Sequence, residues 1–225
     1  MEYFKLLEKV PENISKVSEF RTVGTKPLGG LAVGFGLALK TGEEVRKFTN
    51  EGKVLLVTDK TMISIGTEKI ISDSLRSSGF DVVTFDEVEP EPHLSTCRKV
   101  QEIVRGGNFS AIVGLGGGSP MDMAKTAAIT ATNPGDIRKY LMNIGKPQGE
   151  VEAAEPFEKE GLPCILLPTT SGTGSEVSPY IIASEGNRKL GGVSPYLYGT
   201  VALVDPILTA TMPPKVTAFT GLDAL

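Results

Sequence analysis

The chain has 225 residues, 40% of them hydrophobic and 22% charged, with 23 Lys+Arg against 27 Asp+Glu and a net charge of −4. That allows one large or two small domains with a buried core, and it denies the chain the basic surface that a nucleic-acid backbone requires. One histidine, His93, and two cysteines, Cys97 and Cys164, exclude a disulfide framework, a cysteine-rich zinc site and a His-rich metal site, and leave a Ser-His-Asp hydrolase one histidine to use.

Residues 1–20 read as an amphipathic N-terminal extension with Phe4, Leu7 and Val10 near one helical face, suited to packing on the body or on another subunit. The opening residues are charged and lack a signal-peptide core, and no apolar run is long enough to span a membrane, so a cytoplasmic location with no membrane partner is expected. From Arg21 to Gly36 the pattern is loop and strand, broken at Gly29-Gly30 and Gly34-Phe35-Gly36.

An alternation follows. Residues 53–59, apolar and β-branched, predict a strand buried on both faces. Residues 67–78 predict a helix carrying Ile70, Ile71 and Leu75, closed by Gly79 at C′. Residues 81–85 predict a strand. Residues 95–105 predict a helix with Cys97, Val100 and Val104 on one side, Ser95 as N-cap and Gly106 past its end. A strand at 110–115 and a helix at 119–131 complete the series. Such βαβ units imply a doubly wound, mostly parallel, Rossmann-like α/β sheet with helices on its faces.

Residues 143–161 are polar and carry Glu150, Glu152, Glu155, Glu158 and Glu160, and read as a surface excursion rather than an acidic binding tail. Residues 163–168 predict another buried strand. Residues 177–183 and 200–204 predict two more, the first able to form a hairpin with the segment around Leu190. From Pro213 a helix is expected to run to Leu225, with Val216, Phe219 and Leu222 along one side.

The strongest chemical signal is Leu115-Gly116-Gly117-Gly118-Ser119-Pro120-Met121-Asp122, which follows a strand and opens a helix. The glycines let the backbone approach a ligand. Ser119 is placed to cap the helix and Pro120 suits its first position. Free N–H groups and the helix dipole then suit a pyrophosphate. The spacing is neither G-x-G-x-x-G nor a Walker A loop, and a purely structural turn is the alternative. A second loop, Pro168-Thr169-Thr170-Ser171-Gly172-Thr173-Gly174-Ser175-Glu176, offers hydroxyls and amides at another strand end, as a ligand loop or a tight turn. Asp59, ending its strand, can accept from an adenosine ribose, favouring NAD over its 2′-phosphorylated form, or can simply begin a helix. Lys125 and Lys189 read as surface lysines.

These motifs resemble the iron-dependent (group III, metal-containing) alcohol dehydrogenases. The carriers are Gly116-Gly117-Gly118-Ser119-Pro120-Met121-Asp122-Met123-Ala124-Lys125, the 168–176 loop, Asp205-Pro206 with Leu208-Thr209, and Met212-Pro213-Pro214 with Thr220-Gly221-Leu222-Asp223-Ala224-Leu225, in the family's order. The resemblance implies an α/β domain over 1–212 that holds NAD(P), NADP being the weaker choice, with 213–225 as the first turns of a truncated all-helical domain that holds iron or another divalent metal. It places Gly117–Ser119 at the pyrophosphate, Asp122 on the nicotinamide side, and Thr169, Thr170 and Thr173 on the adenine and phosphate side. Lys189 matches a lysine at the nicotinamide ribose, Leu208 and Met212 flank the cofactor, and Asp223 matches the first metal ligand. The family's next ligand is a His one helical turn on, which is absent here. The family often has Asn between two prolines near the adenosine, where this chain has Pro90-Glu91-Pro92.

The implied reaction is hydride transfer between nicotinamide and a small alcohol or aldehyde, with a homo-oligomer allowed and no nucleic-acid partner. The 225-residue chain by itself is expected to be inactive. A glycerol dehydrogenase or dehydroquinate synthase relative is the neighbouring alternative, although the 168–176 loop fits the alcohol dehydrogenases better. A non-catalytic dinucleotide-binding module is the alternative from another class.

Overall fold

A continuous apolar run suits a strand only where both faces of the sheet are covered, and residues 54–57 are all buried. The computed structural model describes residues 2–11, 20–22, 30–145 and 154–225. Its strands are β1 (Phe20–Thr22), β2 (Gly30–Val33), β3 (Lys53–Val57), β4 (Asp81–Phe85), β5 (Phe109–Gly116), β6 (Met142–Asn143), β7 (Cys164–Pro168), β8 (Tyr180–Glu185), β9 (Arg188–Val193) and β10 (Val201–Val204). Its α-helices are α1 (Glu2–Leu7), α2 (Thr41–Arg46), α3 (Lys60–Ser64), α4 (Thr67–Ser77), α5 (Leu94–Gly107), α6 (Gly118–Thr130) and α7 (Pro214–Asp223).

The main sheet has the order β1-β2-β10-β7-β5-β3-β4 and is parallel except for β1, which pairs antiparallel with β2. The expected doubly wound α/β architecture is therefore present. Side chains alternate between two cores. Val54 and Leu56 join Ile71 and Leu75 of α4 on one face, whereas Leu55 and Val57 join Val100 of α5 and Ala127 of α6 on the other. A small antiparallel sheet, β6-β9-β8, lies beside it, and β8 and β9 form the expected hairpin.

The topology fixes where a ligand belongs. From β3 the chain moves outward to β4, then returns past β3 to β5, so the direction of winding reverses between β3 and β5. Open α/β sheets bind ligands beyond the carboxyl ends of strands at such a switch point. Asp59 follows β3, and Gly116 to Gly118 end β5.

Several helix ends differ from the sequence reading. α4 closes as expected, with Gly79 in the left-handed region and Schellman hydrogen bonds from Gly79 and Phe80 amides to the Arg76 and Leu75 carbonyls. α5 instead begins at Leu94 with His93 at the N-cap, not Ser95. Glu89 supplies the acceptor there, taking the His93 amide at 2.8 Å and the Thr96 hydroxyl at 2.7 Å. Gly106 lies inside the last turn, and Asn108 takes the left-handed position (φ 51°). Burial opposes ionisation of Glu89, but the His93 amide and Thr96 hydroxyl outweigh it and hold the carboxyl below its ordinary value.

The 143–161 excursion is anchored at its return. Phe157 is buried and stacks on Tyr140 with ring centroids 4.4 Å apart, while Glu155, Glu158 and Glu160 stay exposed. Glu150 and Glu152 lie outside the described residues, as do Gly29 and residues 12–19 of the N-terminal extension. No helix among the described residues is long and apolar enough to cross a membrane.

α1 and the residues after it turn Leu7 and Val10 toward the core, as their spacing gave, with Leu6 beside them, but bury Tyr3 and leave Phe4 exposed. The reason is a polar anchor. The Tyr3 hydroxyl donates to Asp205 Oδ2 at 2.6 Å, the Ala38 amide donates to the same oxygen at 3.1 Å, and the Ile207 amide donates to Oδ1 at 3.1 Å. Burial, together with the Asp205 hydrogen bond and charge, pushes the Tyr3 hydroxyl well above its ordinary value. Asp205→Ala strands three buried donors and is expected to cost about 3 kcal/mol, against about 1 kcal/mol for Tyr3→Phe, which keeps the other two bonds. Urea melts check this: equal midpoints for Asp205→Ala and wild type would show that the anchor contributes nothing.

Candidate functional site

Gly116 makes the turn from β5 to α6 with φ +144°, and a Cβ there would stand 2.6 Å from Pro120 Cγ. Only glycine meets both conditions without strain. Its carbonyl accepts the Thr169 amide at 2.9 Å, which ties the first glycine-rich loop to the second.

α6 starts earlier than the sequence reading placed it. Gly117, in extended backbone, is the N-cap, with Ser119 and Pro120 second and third in the helix, and no side chain caps the end. Ser119 is therefore not the cap, because the chain has turned helical before its hydroxyl could reach back. The leading N–H groups have no intrahelical partners, and they face the switch point with the positive end of the dipole.

Two hollows meet at this helix end, and Gly118 and Ser119 line both. The larger, about 850 Å³, is lined by Asp59, Gly117, Thr169, Thr170, Leu208 and Met212. The smaller, about 600 Å³, is lined by Asp122, Thr173, Lys189 and Asp223. Every residue to which the sequence gave a cofactor or metal role lines one or the other except Gly116, which shapes the turn. Thr173 lies in the smaller hollow, apart from Thr169 and Thr170, since Gly172 and Gly174 both take positive φ and carry the loop across.

Asp59 has two roles open to it. Its Oδ1 caps α3, accepting the Thr61 amide at 2.8 Å and the Met62 amide at 3.1 Å. Its Oδ2 is turned to the Gly116 turn, 3.4 Å from where a Cβ would be. Asp86, Glu87 and Glu89 line the same hollow with one lysine, Lys60, which pairs with Asp86 at 2.6 Å, while Lys99 from outside the lining pairs with Glu87 at 2.6 Å, so acids outnumber bases. This end of the cleft is acidic. Glu91, expected at the adenosine corner, is turned into the smaller hollow by its left-handed backbone (φ 53°), while Pro90 stays in the larger.

Lys125 is not a surface lysine. α6 is buried from Pro120 to Thr130 and has no solvent face to offer it. The Lys125 ammonium donates to the Tyr180 carbonyl at 2.8 Å and the Ser178 carbonyl at 3.2 Å, and stands 3.4 Å from Asp122 Oδ1. Asp122 also accepts the Ser175 hydroxyl at 2.6 Å and the Ile182 amide at 2.9 Å. Burial pushes the Asp122 carboxyl up and the Lys125 ammonium down, and each charge opposes the other's shift. Lys189, on β9, is exposed, as expected of it, at the mouth of the same hollow.

The sequence did not point to Ser178, Tyr180 and Ser184, which also line the smaller hollow. Ser184 sits opposite Lys189 in the β8–β9 register, and its hydroxyl is 2.8 Å from His93 Nδ1. The one available signal was the hairpin itself, because period two puts Ser184 and Lys189 side by side once the pairing is known.

Asp223 is exposed at the end of α7. That helix is carried against the second loop at Gly172, where a Cβ would collide with the Thr220 carbonyl. Among the described residues no three His, Cys, Asp or Glu side chains gather as metal donors. Cys97 and Cys164 are buried, with burial pushing each thiol up to about 12, so neither offers a ready thiolate. These residues alone do not fit a divalent-metal site.

Comparison with known proteins shows the family. The chain is 40% identical over 193 residues to long-chain-alcohol dehydrogenase 1 of Geobacillus thermodenitrificans, covering 86% of this chain and 47% of that protein. It is 36% identical over 194 residues to choline dehydrogenase of Bacillus subtilis, covering 85% and 46%. It thus spans about half the length of the curated relatives it matches. Among solved structures, an archaeal Red Sea brine pool alcohol dehydrogenase bound to NZQ superposes with a TM-score of 0.78 at 31% identity, over 91% of this chain and 51% of that one. Sulfoacetaldehyde reductase from Bifidobacterium kashiwanohense, in complex with NAD+, gives 0.75 at 29% identity, over 88% and 50%. The family model for iron-containing alcohol dehydrogenase matches residues 31–206, and the chain belongs to that family.

Proposed function

We propose that this chain binds NAD across the β3/β5 switch point and forms the dinucleotide side of a metal-dependent alcohol dehydrogenase or aldehyde reductase acting on a small alcohol or aldehyde. The observation that carries the proposal is the pair of hollows joined at the uncapped start of α6. A dinucleotide has that form, two nucleosides joined through a pyrophosphate, and a helix N-terminus suits the doubly charged centre. The Gly118 and Ser119 amides would hold the pyrophosphate, Asp59 the adenosine ribose, and Lys189 and Asp122 would border the nicotinamide half. The nicotinamide ring, when bound, supplies the hydride acceptor and donor. The NAD+ complex of the Bifidobacterium kashiwanohense relative supports the choice of cofactor. Asp223 alone does not make a metal site, so no chemical step is assigned to a metal here. For the described residues taken alone, that donor set favours the non-catalytic dinucleotide-binding reading.

The acid-lined larger hollow sets the cofactor. A 2′-phosphate beside Asp59, with Asp86, Glu87 and Glu89 near, meets like charge in a partly buried cleft. Calorimetry is expected to give NAD at least about tenfold tighter than NADP. Asp59→Asn keeps an oxygen to cap α3 but removes the charge, and should narrow that gap without a change in melting temperature. A wild-type chain that prefers NADP would refute the assignment.

A further inference from the structure

We propose that Lys125 is a positioning residue for the nicotinamide half of the cofactor: from inside α6 it holds the wall of the smaller hollow in place. The proposal rests on NAD spanning the two hollows as above. Lys125 is 2% exposed and cannot touch a ligand itself. Its ammonium has three donors, and three acceptors surround it, namely the Tyr180 carbonyl, the Ser178 carbonyl and Asp122 Oδ1. Asp122 lies one turn earlier on the same face of α6 and takes the Ser175 hydroxyl and the Ile182 amide. The Asp122–Lys125 pair thus fastens one connected segment, residues 175–182, to the helix at four residues.

All four of those residues line the smaller hollow, and none lines the larger one. The segment also leads into β8, whose partner β9 carries Lys189 at the mouth of the same hollow. Apart from the start of α6 and Thr169-Thr170, the larger hollow is lined by residues within 59–65, 86–90 and 208–216, none of which takes a hydrogen bond from the Lys125 ammonium. Its influence should therefore fall on one half of the dinucleotide. A buried charged pair need not add net stability over an apolar substitute, whereas fixing the position of a wall requires its directional bonds.

The test uses the 225-residue chain with NADH and ADP as probes, comparing wild type with Lys125→Met. ADP reads the larger hollow and the helix N-terminus, and NADH reads both hollows. The emission of bound NADH also reports the surroundings of the nicotinamide ring. Lys125→Met should weaken NADH by about tenfold or more and return its emission toward that of free NADH, with ADP affinity within about twofold of wild type. If removing the ammonium beside Asp122 prevents a cooperative melt, the neutral pair Asp122→Asn with Lys125→Met is compared with Asp122→Asn alone by the same criteria, so that the change read is the loss of Lys125. Equal loss of ADP and NADH, or no loss of either, overturns the positioning role. A wild-type chain that binds neither probe overturns the dinucleotide reading, and this inference with it.

Discussion

Gly117→Val is expected to lower NAD affinity at least about a hundredfold, close to 2.7 kcal/mol, while the chain still folds. Gly117 has φ −75° and ψ −164°, backbone that any L residue adopts. A Cβ there would meet Thr170 Oγ1 at 3.3 Å and Cγ2 at 3.7 Å, contacts a threonine can relieve by a small shift. The fold should therefore lose only about 1 kcal/mol. The added methyl groups, however, would stand between the two glycine-rich loops, at the start of α6 where the phosphates must approach backbone amides. Gly116→Val is the contrast. It combines a forbidden φ with a collision against Pro120, so it should destabilise the fold itself by several kcal/mol. Calorimetry with NAD and thermal melts on both variants separate the two effects. If Gly117→Val binds NAD as wild type does, the phosphate assignment is wrong.

The parts of this fold that were legible in the sequence are those where local pattern and tertiary environment agree. β3 and β7 are short apolar runs because both faces of the sheet are covered, and their bounds, like those of the half-buried edge strand β4, came within two residues. Helix ends were harder. Ser95 and Ser119 each have the chemistry of a cap, but His93 and Gly117 hold the position, since Glu89 caps α5 from an upstream loop and α6 has no side-chain cap. Lys125 was misread because charge alone predicts exposure. What keeps it buried is a pair of carbonyls more than 50 residues away, which no local window contains. Tyr3 is the same case, hidden on α1 by an aspartate 202 residues distant. The two hollows follow the same rule. Each glycine-rich loop could be read as a possible ligand loop, but their meeting at Gly118 and Ser119 is a product of strand order.

The purified 225-residue chain is expected to bind NAD yet hold no stoichiometric iron or zinc and form no NADH from alcohols. A stable divalent-cation site takes three or four protein donors. The sequence has one histidine, and His93 Nδ1 is engaged with Ser184. Both cysteines are buried with raised thiols. Asp122 already takes Ser175, Ile182 and Lys125. Asp223 and Glu91 remain in the smaller hollow, both exposed, and exposed carboxylates compete poorly with water for a cation. Without a cation to polarise the alcohol oxygen, the hydride has no activated donor. The Lys125 ammonium does not replace it, because it is sealed behind Asp122 and two carbonyls. α7, which carries Asp223, also leaves Phe219 and Leu222 uncovered at 61% and 66% exposure, so its last turn should fray and loosen the single donor further. Metal analysis after dialysis, combined with an absorbance assay on several small alcohols with and without added Fe²⁺, decides the matter. One equivalent of tightly held metal together with steady turnover would overturn this expectation, and NAD binding without either would leave the chain a dinucleotide-binding body.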